Sequence, residues 1–264
     1  MRIVFFGNNR VGWQVLRHLQ EAGEEIAGFV LHPPERRKFG GEILADAAAP
    51  DALLDGSRLS DPDVFGRLRD LRPEMGVSAF FGYLLRREIL DLFPRGVINL
   101  HPALLPYNRG AHPNAWSILD GTPAGATIHM VDERIDTGDI LAQRAVAADP
   151  TDTAETLYRK LEEACIGLFA DSWPAIRTGS LPRRSQSPSC GTFHRVRDLE
   201  RLAEIDPEAS YPAGRLIDLI RAQTFPPYGG AFVRRNGRKI YLRMELLDEE
   251  SLKGPVHGNG HPDR

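Results

Sequence analysis

Short apolar runs alternate with amphipathic stretches over the first 180 residues of the chain. Residues 2–6 and 26–31 are apolar and rich in β-branched and aromatic side chains, which predicts two buried strands. Between them, a helix is predicted by apolar residues at helical spacing, namely Val11, Val15, Leu16 and Leu19. A strand, a helix and a second strand predict a β-α-β unit and therefore a parallel sheet.

The same alternation continues to the end of a long helix near residue 176. Further strands are predicted at residues 74–80, 97–101, 126–131 and 140–146. Helices are predicted at residues 42–49, 61–71, 86–93, 113–119 and 154–176, with Ser60 and Thr153 as N-caps of the second and the last. The last two strands follow one another directly, so we expect an antiparallel pair at the sheet edge. The fold class is α/β, a Rossmann-like, mostly parallel twisted sheet with an antiparallel edge hairpin.

A stretch rich in Pro, Ser and Arg from residue 179 to residue 190 divides the chain. We therefore expect a main domain at residues 1–180, a small C-terminal region at 181–256 and a flexible tail at 257–264. Within the C-terminal region, the pattern predicts a helix at 213–222 and a hairpin of strands 231–233 and 239–244 around Asn236–Gly237.

Composition narrows the class of protein. The chain has 264 residues, of which 42% are hydrophobic, and a net charge of −3, so no general basic field for nucleic acid is expected. Its two cysteines lack metal-ligand spacing, which favours a reducing, cytoplasmic setting and no metal. No signal peptide precedes the first strand, and no apolar run approaches the ~18 residues that span a membrane.

The segment from Val97 to Gly110 contains the strongest candidates for catalytic residues. Residues alternate along a strand, so Asn99 and His101 share one face at the carboxyl end of a buried strand, where open α/β sheets bind ligands. Asp136 follows in the loop of the neighbouring hairpin. An amide, an imidazole and a carboxylate suit acyl transfer, because the first two stabilise an oxyanion while the carboxylate orients and charges the imidazole.

Other patterns leave alternatives open. The turn between Gly7 and Gly12 is either a phosphate site at a helix N-terminus or a simple tight turn, since it lacks Gly-x-Gly-x-x-Gly and a Walker lysine. The second strand ends in Leu31–His32, without an acidic residue for a ribose, so no nicotinamide cofactor is expected.

A set of motifs then resembles the formyltransferases that use N10-formyltetrahydrofolate, a family that includes methionyl-tRNA formyltransferase, glycinamide ribonucleotide transformylase and nucleotide-linked amino-sugar N-formyltransferases. The motifs are Asn99-Leu-His101-Pro, Leu104-Leu-Pro106, Arg109-Gly110, Trp116, Gly125-Ala-Thr127-Ile-His129 and Asp136-Thr-Gly138-Asp-Ile140. The resemblance covers roughly residues 1 to 180 and makes that segment the catalytic domain.

The resemblance implies roles for individual residues. It carries Asn99, His101 and Asp136 over as the catalytic trio. It places a pterin pocket at Tyr83, Leu84, Leu85, Leu90, Val97 and Ile135, although Leu84, Leu90 and Val97 are equally explained by core packing. Amine-substrate contacts are expected from Asn9, Arg36, Arg37, Lys38, Tyr107, Asn108 and Arg109, where the alternative for Arg36–Lys38 is a solvated charge run.

Departures from the family pattern bear on the acceptor. Methionyl-tRNA formyltransferases usually have a basic residue after Leu-Leu-Pro and a full C-terminal barrel domain, whereas here Tyr107 follows and about 75 residues lie beyond Cys190. The loop from Tyr107 to Gly110 and the ending around Thr224-Phe225-Pro are similar to amino-sugar N-formyltransferases. A second copy of the chain is expected as a partner through the C-terminal region.

The expected function is transfer of a formyl group from N10-formyltetrahydrofolate, as co-substrate, to the amine of a nucleotide-linked 4-amino-4,6-dideoxy sugar. Alternatives with the same chemistry have methionyl-tRNA, an amino acid, a peptide or water as acceptor. A folate- or nucleotide-binding regulatory module is the alternative without catalysis.

Overall fold

A seven-stranded mixed sheet organises the protein, for which a computed structural model describes residues 1–47, 52–187 and 190–249. The strands of this sheet are β1 Arg2–Gly7, β2 Glu25–Leu31, β3 Leu53–Asp55, β4 Met75–Ala79, β5 Val97–His101, β7 Ala124–Met130 and β8 Ile140–Val146. Their order is β3-β2-β1-β4-β5-β7-β8, with the first five parallel and β7 antiparallel to both neighbours. The predicted fold class is confirmed.

Eight α-helices are described in these residues. They are α1 Asn9–Glu21, α2 Gly40–Asp46, α3 Pro62–Asp70, α4 Arg87–Leu90, α5 Pro113–Leu119, α6 Ala154–Thr178, α7 Val196–Glu200 and α8 Ala213–Arg221. Helices α1 and α6 pack together on one face of the sheet around Phe169 and Trp173. On the other face, residues of α3 and α4 join the core around Phe6 and Phe93.

Local sequence explains where several helices begin. Thr153 accepts from the N–H of Thr156 while Thr156 Oγ1 accepts from the N–H of Thr153, a capping box that starts α6 as predicted. The predicted cap of α3 was wrong by one residue, because Asp61, not Ser60, accepts from the N–H of Asp63.

Other predicted boundaries also need correction. The helix after Leu85 is a single turn ending at Leu90 instead of Phe93. The helix predicted at 42–49 begins at Gly40 and ends at Asp46, and residues 48 and 49 lie outside the described residues. The short strand β3 and helix α7 were not predicted.

The C-terminal region packs against the sheet domain at two places. Strand β6, Arg109–Gly110, pairs in parallel with β9, Phe193–His194, and α8 packs on α5. The predicted hairpin is present as β10, Phe232–Arg235, and β11, Arg238–Tyr241. The domain boundaries stay a prediction, and the tail at 257–264 lies outside the described residues.

Among the helices of the described residues, none has both the length and the apolar composition of a membrane span.

Candidate active site

A cleft of about 660 Å³ opens where β1, β4 and β5 end. The parallel strands are added on both sides of β1: β2 and then β3 lie on one side, and β4 and then β5 lie on the other. Such a switch point leaves a crevice at the carboxyl ends of the strands. The floor of the cleft includes Ser78 from β4, Asn99 and His101 from β5 and His129 from β7, and Asp136 closes it from the β7–β8 loop.

The three residues of the expected trio meet in this cleft. Nδ1 of His101 lies 3.6 Å from Oδ2 of Asp136, and Nδ2 of Asn99 lies 3.5 Å from Oδ1 of the same carboxylate. The side chains are largely removed from solvent, with exposed fractions of 7% for His101 and 12% for Asp136. The carboxylate therefore lies between an amide donor and an imidazole.

The backbone holds Asp136 in this place. Its φ of 54° is in the left-handed region, and Gly138 two residues later approaches the carbonyl oxygen of Met130 so closely that a Cβ would lie 1.9 Å from it. The N–H of Gly110 donates to Oδ2 of Asp136 at 2.9 Å. Burial alone would raise the pKa of Asp136, but the charge of His101 and the N–H of Gly110 hold this pKa well below its usual range.

The polar neighbours of the two ring nitrogens of His101 match a charged imidazole. Its Nε2 lies 3.1 Å from the carbonyl oxygen of Asn108, and its Nδ1 faces Asp136. Both partners can only accept, so both ring nitrogens are satisfied when both carry protons. An imidazolium beside an amide N–H is a suitable environment for a developing oxyanion.

A second cavity of about 890 Å³ adjoins the cleft, and Asn9 and Lys38 line both. It is walled by α6 and by the segment that follows α8, and its aromatic lining consists of Phe39, Tyr158, Phe225 and Tyr228. Lys38 lies with Nζ 5.8 Å from the ring centroid of Tyr228. Burial raises the pKa of both Tyr158 and Glu162, which share a hydrogen bond in the wall.

Comparison with known proteins fixes the family. A family profile described as Formyl transferase matches residues 1–170, and one described as N-formyltransferase dimerization C-terminal domain matches residues 198–248. The chain belongs to the formyltransferase family. This formyltransferase is 33% identical over 273 residues to methionyl-tRNA formyltransferase of Anaeromyxobacter dehalogenans, covering 100% of this chain and 85% of that protein.

Two solved structures of formyltransferases are similar to most of this chain. A 4-N formyltransferase from Francisella tularensis has a TM-score of 0.80 at 25% identity, covering 94% of this chain and 98% of that one. A formyltransferase from Anoxybacillus kamchatkensis, solved with UDP-4,6-dideoxy-4-formamido-L-AltNAc and tetrahydrofolate, has a TM-score of 0.56 at 28% identity, covering 76% and 89%.

The residues expected to line a pterin pocket divide into two groups. Tyr83, Leu84, Leu85 and Ile135 line the cleft of this formyltransferase, and Leu84 and Ile135 are exposed at 63% and 38%. Leu90 and Val97 instead belong to the core beneath it.

The residues expected at the amine substrate also divide. Asn9 and Lys38 line both cavities, whereas Arg36, Arg37, Tyr107, Asn108 and Arg109 line neither. Arg37 donates to the carbonyl oxygen of His32, and Arg109 donates to Gln186. Asn108 is fully buried, and its amide donates to Ser117 and Thr122.

Sequence reasoning missed two polar residues at the trio. His129 approaches Asp136 Oδ1 to 3.5 Å, and Ser78 Oγ lies 2.9 Å from Oδ1 of Asn99. His129 lies opposite Asn99 in the antiparallel pairing of β7 with β5. That register could identify His129 as a site residue, but it cannot be read from the sequence of either strand alone. Ser78 likewise pairs with Asn99 from β4.

Proposed function

We propose that this formyltransferase moves a formyl group from N10-formyltetrahydrofolate to the primary amine of a nucleotide-linked 4-amino-4,6-dideoxy sugar. The single observation that carries the proposal is the pair of adjoining cavities that share Asn9 and Lys38. The cleft contains the trio, and the larger cavity has aromatic walls with a lysine at the junction. Two substrates of about nucleotide size need two compartments that meet at the reacting atoms.

The cleft fits a flat, partly apolar donor. Phe80, Leu85 and Val131 add apolar surface to the walls beside Leu84 and Ile135, and the polar groups gather at the floor. In our proposal, the pterin ring lies between these walls and presents its formyl group to Asn99 and His101.

The chemistry then follows from the trio. The neutral amine attacks the formyl carbon and forms a C–N bond, while the carbonyl electrons move to the oxygen, which the Asn99 N–H and the His101 imidazolium stabilise. The amine gives up a proton through Asp136 and water, the bond to N10 breaks, and N10 takes a proton. The products are the formamide and tetrahydrofolate.

The choice of acceptor rests on the lining of the larger cavity and on a relative of known ligand. Lys38 at the junction would meet the pyrophosphate, and the aromatic walls would meet the base. The relative from Anoxybacillus kamchatkensis contains such a sugar nucleotide together with tetrahydrofolate, which supports this assignment.

The similarity to methionyl-tRNA formyltransferases keeps aminoacyl-tRNA as the second candidate acceptor. The segment matched by the dimerization family also supports a homodimer through residues 198–248. A cytoplasmic location stays a prediction.

The test is a screen with N10-formyltetrahydrofolate and a panel of acceptors: nucleotide-linked 3- and 4-amino sugars with different bases, methionyl-tRNA, free amino acids and water. A gain of one CO unit by a 4-amino sugar nucleotide, read by mass, supports the proposal. Formylation of methionyl-tRNA alone, or release of formate without an acceptor, contradicts it.

A further inference from the structure

The two ring nitrogens of His129 face partners of different kinds. Nδ1 lies 2.7 Å from the carbonyl oxygen of Met130, which can only accept, so Nδ1 carries a proton. Nε2 lies 3.2 Å from Nδ2 of Asn99 and 3.5 Å from Oδ1 of Asp136. The closer partner of Nε2 is thus an amide nitrogen that can only donate, which calls for a lone pair on Nε2.

His129 and His101 therefore differ in the charge that their surroundings favour, although both contact the carboxylate of Asp136. Both nitrogens of His101 face acceptors only, which an imidazolium satisfies. His129 satisfies Met130 and Asn99 together only as a neutral ring with its proton on Nδ1. The two rings lie 6.4 Å apart between centroids, and a charge on only one of them avoids mutual repulsion.

The orientation of the Asn99 amide depends on this charge state. Ser78 Oγ lies 2.9 Å from the other end of the amide, but a hydroxyl donates or accepts and so tolerates either orientation. His129 does not tolerate both. A neutral ring accepts from the NH₂ group, whereas an Nε2–H would turn the amide oxygen toward itself.

We propose that His129 is a positioning residue, neutral and protonated on Nδ1, whose Nε2 lone pair holds the Asn99 amide with its NH₂ group facing the reacting formyl oxygen. The inference rests on the oxyanion role given to Asn99 in the proposed function. One N–H of the amide donates to Nε2 of His129. The other points toward Oδ1 of Asp136 over 3.5 Å, a weak contact that leaves this N–H available to an oxyanion bound beside it. The reversed amide would present its oxygen and repel the oxyanion.

The first test does not depend on activity. Long-range ¹H–¹⁵N correlation spectra of the full-length protein with labelled histidine report which ring nitrogen carries the proton. The His129 signals are assigned by their absence from His129→Gln. The expected result is a neutral ring protonated on Nδ1 at the pH at which the enzyme is active. An imidazolium, or a neutral ring protonated on Nε2, would overturn the inference.

The second test compares three variants at one position. The carbonyl of Gln reaches as far as Nε2 and can accept from Asn99, whereas Asn reaches only as far as Nδ1 and Leu offers no acceptor. His129→Asn and His129→Leu should lower kcat by about 10- to 100-fold, a part of the ~10²–10³ lost with an oxyanion donor. Both KM values should stay within about twofold, and His129→Gln should recover most of kcat.

Equal kcat in the Gln and Asn variants, or an effect on KM alone, would contradict the positioning role. Melting curves identify any variant that does not fold, and the spectrum of the unmodified protein then decides. If no acceptor gains a formyl group, the proposed function fails, whereas the spectra still report the His129 proton.

Discussion

The backbone N–H of Gly110 donates to the carboxylate of Asp136 at 2.9 Å, which joins the segment after β5 to the loop that closes the cleft. Asp136 thereby faces His101 although the two residues lie 35 positions apart in the sequence. The position of the carboxylate depends on a glycine in the left-handed region, since Gly110 has a φ of 89° and its Cβ would lie 2.3 Å from the carbonyl oxygen of His194.

Gly110→Ala should therefore displace the N–H from Asp136 and lower kcat by at least about tenfold, a loss within the range for one charge-assisted hydrogen bond. Gly23→Ala is the matched control, because Gly23 has a φ of 74°, a Cβ there would meet no atom within 4 Å, and the residue lies far from the cleft in the chain. Steady-state kinetics of both variants, with melting curves, check the prediction. A similar loss of kcat in both variants would show that backbone strain alone is responsible.

The substrate-contact prediction now centres on Lys38. Changing Arg36, Arg37 and Lys38 together should raise KM for the sugar nucleotide, and Lys38→Ala alone should reproduce the effect, because of these three residues only Lys38 lines the cavities. A charge-assisted contact to phosphate is worth ~1.5–3 kcal/mol, or about 10- to 150-fold in KM. Arg36→Ala is the control, and folate binding should not change in either variant. An unchanged KM in Lys38→Ala would indicate that residues 36–38 form a solvated charge run that does not contact the substrate.

The dependence of kcat on pH below neutrality can be predicted from the lowered pKa of Asp136. A carboxyl with a lower pKa in the folded than in the unfolded protein stabilises the fold above the unfolded value, and that contribution is lost as the pH falls through the folded pKa. Asp136 therefore stays ionised from neutral to mildly acidic pH. Loss of kcat between about pH 5 and 7 should come from another group, such as the attacking amine. The acid limb of kcat should consequently persist in Asp136→Asn if any activity remains.

The charge of Asp136 is tested by an isosteric change. Asp136→Asn keeps the shape of the side chain but removes the negative charge beside His101, so the maximum of kcat should fall. Asp132→Asn is the control, because Asp132 lies on the same loop but binds Thr137. Steady-state kinetics of both variants check the prediction, and equal kcat values in the two variants would show that the charge of Asp136 is not needed.

The sequence was sufficient for six of the seven strands of the sheet and for the placement of Asn99, His101 and Asp136, because these features follow periodic patterns. Side-chain alternation on one strand placed Asn99 and His101 together, and the spacing of the edge hairpin brought Asp136 to the same place. These are local patterns, and local patterns survive in the fold.

The remaining errors concern contacts between distant segments. Arg109 looked available for substrate, but the parallel pairing of β6 with β9 brings Gln186 and Thr192 to this loop. Asn108 is buried for the same reason. The aromatic wall of the larger cavity joins α6 to residues 225–228, a pairing that neither segment indicates alone.

In the proposed reaction, Asn99, His101 and Asp136 transfer the formyl group to a sugar amine. The direct measurement uses N10-formyltetrahydrofolate with a ¹³C-labelled formyl carbon and the 4-amino sugar nucleotide that responds best in the screen, with single-turnover product analysis of the unmodified enzyme and of three alanine variants. This mechanism predicts labelled formamide on the sugar nitrogen, formed about 10²–10³-fold more slowly by Asn99→Ala, His101→Ala and Asp136→Ala, with folate binding retained. Transfer at near-normal rates in all three variants would contradict it.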